Sequence, residues 1–564
     1  MKRVIRYSII AVLLAAGVLV YISYKTSIPV TRLVTEAPEL INTLKSASLD
    51  AEDIENYTVK EQKILDVLHY DLNLDLYPDR QMIKGDAVIK VVTRGIDKIN
   101  LNFYDNFDIK KVTLDGAGVK YENKGSRFTI IPTGKLKDTS LVEIVYEGKP
   151  ESLGFGSFTF GQKNGKSFIY TMSEPVFAST WYPCNDIPSD KALFDIKISN
   201  DSSKVSVSNG RLVSVTANGS RKTYHWQTVY PMATYLAAIY SADYKSYSDT
   251  YVSASKTKMP IVYYVTPEKL ESAKDDFYIH PEAIAVFSKL FGEYPFIKEK
   301  YGVAEFLWNN GALENQTITG IGSVFISGMS MQKDLLIHEL AHSWWGNAVS
   351  LADWKDLWLN EGFATYSTAL YYEALTDKRA LFSTMSGFKG NFDKCPLYNP
   401  DKDLFGKLVY NKGAWVLHML RKEVGDSTFF KILRKYYSDY KYKNATTTDF
   451  KNVCESVSKK KLDFFFEQWV FKGKGIIEAD FSWSAVKQGE NNYLLKIDIS
   501  QTQDGFPFYR FPLDLKVDAP EGKSEVKTIY INNKNAHFEI KTDILPQNVT
   551  PDPEGWLLAK FNKK

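Results

Sequence analysis

Two histidines and a glutamate stand within five positions of one another in an otherwise apolar part of this chain, where residues 335–345 read LLIHELAHSWW. On an α-helix, His338 and His342 leave the same face one turn apart. Two neutral imidazoles so placed can bind one metal ion. Glu339 lies beside the first histidine, where its carboxylate can take a proton from a metal-activated water. The pattern therefore predicts metal-assisted hydrolysis.

A third ligand is needed for such a site, and Glu361 lies nineteen positions after His342 in LWLNEGFATY, a segment with its own helical pattern. A second helix packed antiparallel to the first could present this carboxylate to the metal. The other common zinc pattern needs glycine at position 345 and histidine at position 348, whereas this chain has Trp345 and Ala348. The predicted ligands are therefore His338, His342 and Glu361, and three protein ligands leave the fourth tetrahedral position for water, as in catalytic zinc sites. The alternative is a helix whose two histidines make ordinary hydrogen bonds.

Longer motifs around these residues resemble those of the zinc aminopeptidases of the aminopeptidase N and leukotriene hydrolase type, a gluzincin metallopeptidase family. The motifs are HELAHSWWGNAVSLADWKDLWLNEGFATY, GALEN at 311–315, HYDLNLDL at 69–76 and YPCNDIP at 182–188. The resemblance extends from about residue 65 to the C-terminus. It implies a hydrolase with one Zn²⁺ per chain that releases the N-terminal residue of peptides by attack of a zinc-bound water.

The resemblance also implies how the substrate amine is bound. The family's Gly-x-Met-Glu-Asn loop lines the substrate, and its glutamate binds the free α-ammonium; the matching residues here are Gly311, Ala312 and Glu314, with Leu313 in place of the usual methionine. A second residue that meets the amine precedes the Pro-Cys motif, which assigns Glu174. Two carboxylates facing one ammonium fix the substrate N-terminus at a set distance from the metal, so that only the first peptide bond reaches it. Each glutamate taken alone would be interpreted as a solvated surface carboxylate.

A tyrosine completes the set of catalytic residues that the resemblance implies. Residues 410–420, YNKGAWVLHML, resemble the family's Tyr-x-Lys-Gly-Ala segment, whose tyrosine hydroxyl donates to the tetrahedral oxyanion, and this assigns Tyr410. Among 35 tyrosines, it would otherwise be assigned to core packing. His418 is interpreted as a structural histidine. Asp356 and Asn360 flank the Glu361 segment and are both candidates for orienting the ligands.

The elements that must position these residues follow from the length and the hydrophobic patterns. A chain of 564 residues suggests two to four domains. Alternating patterns such as HYDLNLDLY predict an N-terminal β-domain over 61–250. Helical patterns dominate 251–474, for which the resemblance implies a thermolysin-like, mainly helical zinc catalytic domain, and FPLDLKVD with its neighbours predicts a C-terminal β-sandwich domain over 475–564. The expected fold class is α+β multidomain, in a short three-domain form without the helical C-terminal domain of larger family members.

The N-terminus predicts a membrane anchor. Eighteen residues without a charge, 7–24, follow MKRVIR, and as a helix they would span about 27 Å, close to the thickness of a bilayer core. Lys2, Arg3 and Arg6 favour a cytoplasmic N-terminus. The expectation is one transmembrane helix acting as a signal anchor over 1–25, a linker over 26–60, and a catalytic domain outside the cytoplasm at the cell membrane. The alternative is a cleaved signal peptide and a secreted protein.

Composition excludes several classes of function. The 70 basic and 67 acidic residues are spread along the chain, which leaves no basic stripe for nucleic acid. Three cysteines, Cys184, Cys395 and Cys454, are too few for a disulfide framework. The expected partners are peptides with a free N-terminus and the membrane. Two further hypotheses are an endopeptidase or other metal hydrolase on the same scaffold, against which Glu314 and Glu174 argue, and an inactive binding protein, against which the intact catalytic positions argue.

Overall fold

A computed structural model describes residue 54 and residues 58–564, apart from 154 and 402–403. The predicted transmembrane helix, residues 7–24, and most of the predicted linker lie outside the described residues. None of the helices in the described part of the chain has the length and apolar character needed to span a bilayer.

The N-terminal part is built from strands, as the alternating patterns predict, so the β-domain is confirmed. In the strand Asp66–Tyr77, Tyr70, Leu72, Leu74 and Leu76 are buried while the residues between them face outward. A nine-stranded sheet consists, in spatial order, of Arg211–Asn218, Arg221–Gln227, Lys191–Asp201, Asp66–Tyr77, Met82–Val92, Thr139–Gly148, Asp108–Leu114 and Ala117–Gly118, with Met232–Ala233 paired to Lys191–Asp201. Two smaller sheets are formed by Ile99–Asn102, Arg127–Ile131 and Lys120–Lys124, and by Val205–Ser208, Ile239–Ala242, Lys166–Thr171 and Phe158–Lys163.

The next part of the chain, residues 245–322, contributes a five-stranded sheet. Its strands are Lys245–Val252, Lys258–Val265, Tyr301–Phe306, Thr319–Gly322 and Ala312–Leu313, in that spatial order. The first of them pairs with the second over its whole length, so the domain limit predicted at residue 250 falls inside a strand. The crossover to the third, parallel strand carries the helices Leu270–Phe277 and His280–Phe291. Ala312–Leu313 is an edge strand, so one side of its backbone stays unpaired by the sheet.

Helices dominate the chain from residue 333 to residue 471, which confirms the helical catalytic domain. They are Lys333–Ala341, Trp358–Leu375, Lys378–Gly387, Gly413–Val424, Asp426–Tyr440, Thr447–Ser458 and Asp463–Phe466, with π-helical turns at Leu408–Lys412 and Glu467–Phe471. We call Lys333–Ala341 the first site helix and Trp358–Leu375 the second site helix. The second is buried along most of its length because other helices pack around it. Gly362 and Gly413 allow the helix Gly413–Val424 to approach it closely, since a Cβ on either glycine would lie 2.8 Å from the other's Cα.

The last part of the chain forms two further sheets. One consists of Asn535–Thr542, Asn492–Gln501, Ile477–Gly489 and Ala559–Lys563, and the other of Ser524–Ile531, Phe511–Asp518 and Asn548–Pro551. Leu513, Leu515 and Val517 point into the core, as their alternation predicts. Trp556 packs against the catalytic helices, where its ring stacks on that of His418 at a centroid distance of 4.6 Å. His418 therefore packs against the last part of the chain, in agreement with a structural role.

Candidate active site

The three predicted metal ligands lie together in the structure. The Nε2 atoms of His338 and His342 are 3.0 Å apart, and the Oε2 atom of Glu361 lies 3.2 Å from the first and 3.4 Å from the second. Ligands bound to zinc at 2.0–2.1 Å in a tetrahedron are separated by about 3.3 Å. The donor set therefore fits one zinc ion, and three protein donors leave one tetrahedral position open.

The local backbone structure orients each of these donor atoms. His338 lies in the first site helix and His342 directly follows its last residue, so the two rings stand one turn apart. The Nδ1 atom of His342 lies 2.9 Å from the carbonyl oxygen of Trp345, an arrangement in which Nδ1–H donates and Nε2 is left free for a metal. Gly346 makes the turn that follows, at φ 120°, and a Cβ there would lie 3.2 Å from the His342 ring. Glu361 comes from the first turn of the second site helix.

Negative charge around the donors favours a cation. Burial alone would raise the pKa of Glu361, but the neighbouring imidazoles of His342 and His338 lower it to about 2. Burial opposes a charge on His342, yet the carboxylates of Glu361 and Glu314 raise its pKa well above the ordinary value. These carboxylates thus stabilise positive charge at the donor set, whether a proton or a metal ion carries it.

Glu339 lies in the wall of the same cleft. One of its carboxylate oxygens is within 4.8 Å of a carboxylate oxygen of Glu314 and a ring nitrogen of His342. Burial, reinforced by the charge of Glu314, raises the pKa of Glu339 well above its ordinary value. A carboxyl group with a raised pKa is suited to accept and return a proton near neutral pH.

Glu174 and Glu314 lie close together in the cleft, and each has a buried carboxylate oxygen. Glu174 is 9% exposed and Glu314 is 6% exposed, and the Oε1 atom of each has no hydrogen-bond partner among the described residues. Carboxylate oxygens of Glu174, Glu314 and Glu361 lie within 4.8 Å of one another. Burial raises the pKa of both glutamates, and for Glu174 the charge of Glu314 adds to it. Because buried carboxylates without partners are costly, this arrangement calls for a cation between them.

The remaining predicted residues also line the cleft. Gly311 precedes the edge strand beside it, and Ala312 is the first residue of that strand. Asn347 donates to the Glu314 carbonyl oxygen at 2.7 Å, which fixes the loop that follows this strand. The Tyr410 ring stacks on the His338 ring, with a centroid distance of 5.8 Å and an angle of 27° between the planes. Burial and the nearby Glu361 charge raise the pKa of Tyr410 well above 10, so its hydroxyl remains a hydrogen-bond donor.

The two candidates for orienting the ligands have other contacts. The Oδ1 atom of Asp356 accepts hydrogen bonds from the backbone nitrogen and the hydroxyl of Thr447, at 2.9 and 2.6 Å. Asp356 therefore stabilises the start of the helix Thr447–Ser458 and does not orient a metal ligand. Asn360 donates to the Tyr235 hydroxyl at 3.3 Å, and that hydroxyl donates to the Gly346 carbonyl at 3.0 Å. Asn360 thus reaches the turn after His342.

The cleft is also lined by residues that the sequence analysis did not predict. The cleft has a volume of about 580 Å³, and the residues not predicted include Phe155, Trp308, Asp334, Thr365, Thr368, Phe388, Phe405 and Lys407. The two threonines follow Glu361 by four and seven positions on the second site helix, a helical spacing that could have revealed them. The aromatic residues come from separate loops, and no spacing in the sequence connects them.

Comparison with known proteins places most of the chain in two family models. Residues 67–236 match the peptidase M1 N-terminal domain, and residues 279–469 match the peptidase family M1 domain. Together the two matches cover more than half of the chain. The second match contains His338, Glu339, His342, Glu361 and Tyr410.

Individual proteins agree with these matches. The chain is 27% identical to probable aminopeptidase 2 of Sulfurisphaera tokodaii over 84% of its own length and 62% of that protein. It is 24% identical to the alanine/arginine aminopeptidase of Saccharomyces cerevisiae over 84% of its own length and 59% of that protein. The chain thus spans about three fifths of the length of these relatives. A mutant M1 zinc metallopeptidase of Deinococcus radiodurans, solved with a Tyr-Ser-Ala substrate, is 26% identical at a TM-score of 0.64, covering 72% of this chain and 94% of that one.

Proposed function

Since this chain belongs to peptidase family M1, we propose that it is a zinc-dependent aminopeptidase that hydrolyses the first peptide bond of peptides with a free N-terminus. The observation that carries this proposal is the pair Glu174 and Glu314, whose buried Oε1 atoms, beside the His-His-Glu donor set, find no hydrogen-bond partner in the part of the chain that the structure describes. A substrate α-ammonium between them would satisfy both carboxylates through charge-assisted hydrogen bonds. Because the amine would be held there, the first peptide bond would lie next to the donor set.

The mechanism follows from the positions of the side chains. His338, His342 and Glu361 would hold the zinc, which when bound polarises a carbonyl group and lowers the pKa of a water. Glu339 takes a proton from the attacking water and returns it to the leaving amine as the carbon–nitrogen bond breaks. Tyr410 donates its hydroxyl proton in a hydrogen bond to the carbonyl oxygen while that oxygen becomes negative.

Two other functions are less well supported. An endopeptidase would place uncharged peptide backbone at Glu174 and Glu314, which would leave both buried carboxylates without a partner. An inactive binding protein would not need the donor set, a buried glutamate with a raised pKa and a tyrosine hydroxyl in one cleft. The solved M1 zinc metallopeptidase mutant of Deinococcus radiodurans is bound to a Tyr-Ser-Ala substrate, which also favours action on peptides.

Metal analysis combined with a chromogenic aminoacyl substrate tests the proposal. We expect about one zinc per chain, hydrolysis that a chelator abolishes and zinc restores, and loss of metal in Glu361→Ala. Glu339→Gln should keep its zinc and lose activity by a factor of about a hundred or more. Undiminished metal content in Glu361→Ala would show that Glu361 is not a zinc ligand. Wild-type turnover in Glu339→Gln would show that Glu339 is not the general base.

We also propose that residues 7–24 anchor the protein in the cell membrane with the catalytic domain outside the cytoplasm. The support is the uncharged length of this segment and the three basic residues before it. Full-length protein should then sediment with membranes and resist carbonate extraction, and protease added to intact cells should reach the catalytic domain. A soluble, N-terminally trimmed protein as the sole cellular form would favour secretion after signal cleavage.

A further inference from the structure

A second cavity lies beside the catalytic cleft. It has a volume of about 520 Å³ and is lined by residues 390–395 together with Asp401, Lys407 and Leu408. Lys407 also lines the catalytic cleft, so the two cavities meet at this side chain. Nothing in the mechanism above uses the second cavity.

Charge is unevenly distributed along the catalytic cleft. Its described lining residues include five carboxylates, Glu174, Glu314, Asp334, Glu339 and Glu361, whereas Lys407 is the one lysine or arginine among them. Lys407 is exposed and makes no ion pair with any described residue. Beyond it, the described lining of the second cavity contains one further lysine, Lys394, and two carboxylates, Asp393 and Asp401. The positive end of the catalytic cleft is therefore where the second cavity begins.

A substrate has a fixed direction in this cleft if its amine lies between Glu174 and Glu314. The carboxyl side of the cleaved bond must then leave the donor set in another direction. Lys407 precedes Tyr410 by three positions, at the start of the π-helical turn Leu408–Lys412. Three positions along an α-helix correspond to a rise of about 4.5 Å, and the long, flexible lysine side chain extends this reach. Lys407 can therefore meet the second or third residue after the cleaved bond.

We propose that Lys407 binds a carboxylate on the carboxyl side of the cleaved bond, and that longer peptides continue past it into the second cavity. The carboxylate is either the C-terminus of a short peptide or an acidic side chain, because both present the same group to the ammonium. This inference rests on the proposed function and adds to it a preference among substrates. Lys407 is thus a specificity-determining residue of the site.

Matched pairs of substrates test the carboxylate contact. One pair is a tripeptide as free acid and as C-terminal amide, and the other is a tetrapeptide amide with Glu or Gln at the third position. The quantity measured is the ratio of kcat/KM within each pair. We expect the wild type to prefer the carboxylate form in at least one pair, Lys407→Met to lower that ratio by about three- to tenfold, and Lys407→Arg to retain it. Lys98→Met, which removes an exposed lysine of the β-domain, should leave the ratio unchanged.

The outcomes distinguish which carboxylate Lys407 binds and whether it binds one at all. A preference for the free acid identifies the C-terminus as the bound group, and a preference for Glu identifies the side chain. Wild-type ratios near one in both pairs, or the same ratios in Lys407→Met as in the wild type, would overturn the inference while aminopeptidase activity itself stands. Failure of the wild type to release the first residue from any of these peptides would instead overturn the proposed function.

Cys395 provides a test of the route into the second cavity. It is partly exposed in the lining, whereas Cys184 and Cys454 are buried. A bulky maleimide should therefore label Cys395 and fill the cavity. We expect labelling to lower the rate for a hexapeptide relative to that for an aminoacyl anilide, and Cys395→Ser to be insensitive to the reagent. Complete labelling with no change in the relative rates would show that long peptides leave by another route.

Discussion

Replacing Gly413 by alanine tests whether the close approach of two helices positions Tyr410, the proposed donor to the oxyanion. A Cβ at residue 413 would lie 2.8 Å from the Cα of Gly362, whereas nonbonded carbon atoms prefer about 3.5–4.0 Å. The helix Gly413–Val424 must therefore move away from the second site helix by about 1 Å. Tyr410 lies in the turn that leads directly into this helix, so we expect its hydroxyl to shift by a comparable distance.

The expected effects differ between catalysis and metal binding. A misplacement of about 1 Å in a catalytic group costs on the order of a hundredfold in rate, and overpacking of this kind costs about 1–3 kcal/mol in the free energy of unfolding. His338, His342 and Glu361 lie outside the displaced helix, so zinc content should stay near one per chain. The measured quantities are kcat for an aminoacyl substrate, the metal content per chain and the midpoint of thermal unfolding.

A matched control comes from a glycine with free space around it. A Cβ at Gly387, the last residue of the helix Lys378–Gly387, would have no atom within 4 Å. Gly387→Ala should therefore keep wild-type activity and metal content. Wild-type kcat in Gly413→Ala would refute the idea that this contact sets the tyrosine position, and loss of zinc in that variant would show that the helix supports the metal ligands instead.

The remaining predictions concern single side chains. Glu314→Ala should lower kcat/KM for free-amine peptides by about ten- to a hundredfold and keep its zinc; an equal loss for N-blocked substrates would contradict an ammonium contact. Tyr410→Phe should lower kcat by about a hundredfold or more with little change in KM, which steady-state kinetics will check. Burial lowers the pKa of Lys191 from 10.5 to about 7. Between about pH 7 and pH 10.5 the unfolded chain therefore binds a proton that the folded protein lacks, so the free energy of unfolding should rise with pH across that window. Lys191→Met should flatten this rise, which is measured as the unfolding midpoint against pH. Trp556→Ala should destabilise the packing of the C-terminal sheets by about 3–5 kcal/mol, which limited proteolysis after residue 474 would detect as faster cleavage. Unchanged proteolysis would count against a stabilising contact between Trp556 and His418.

The sequence alone was sufficient for the parts of the site that local geometry determines. His338 and His342 share a face because an α-helix repeats every 3.6 residues, and the same rule places Glu339 beside them. Glu361 required the further assumption of a second helix beside the first, and its Oε2 atom lies 3.2 and 3.4 Å from the two histidine Nε2 atoms. Glu314 and Tyr410 could be assigned only through family resemblance, because loops and turns carry them to the cleft.

Other features depend on tertiary contacts that no local pattern encodes. Phe155, Trp308 and Phe405 come from three separate segments whose rings meet only after the sheets and helices assemble. Lys407 is exposed and belongs to no periodic pattern, so its position between two cavities was not predictable. The strand Lys245–Val252 has a single buried side chain, Tyr251, and so carries too little alternation to show which sheet it joins.

In the proposed mechanism, a buried pair of glutamates beside the zinc ligands restricts cleavage to the first peptide bond. The decisive experiment compares one short peptide with a free and with an acetylated N-terminus, followed by mass spectrometry of the products over time. We predict stepwise release of the first residue from the free peptide and almost no cleavage of the acetylated one, because acetylation removes the charge that Glu174 and Glu314 require. Equal cleavage of both peptides, or internal cuts before the first residue is released, would contradict the claim.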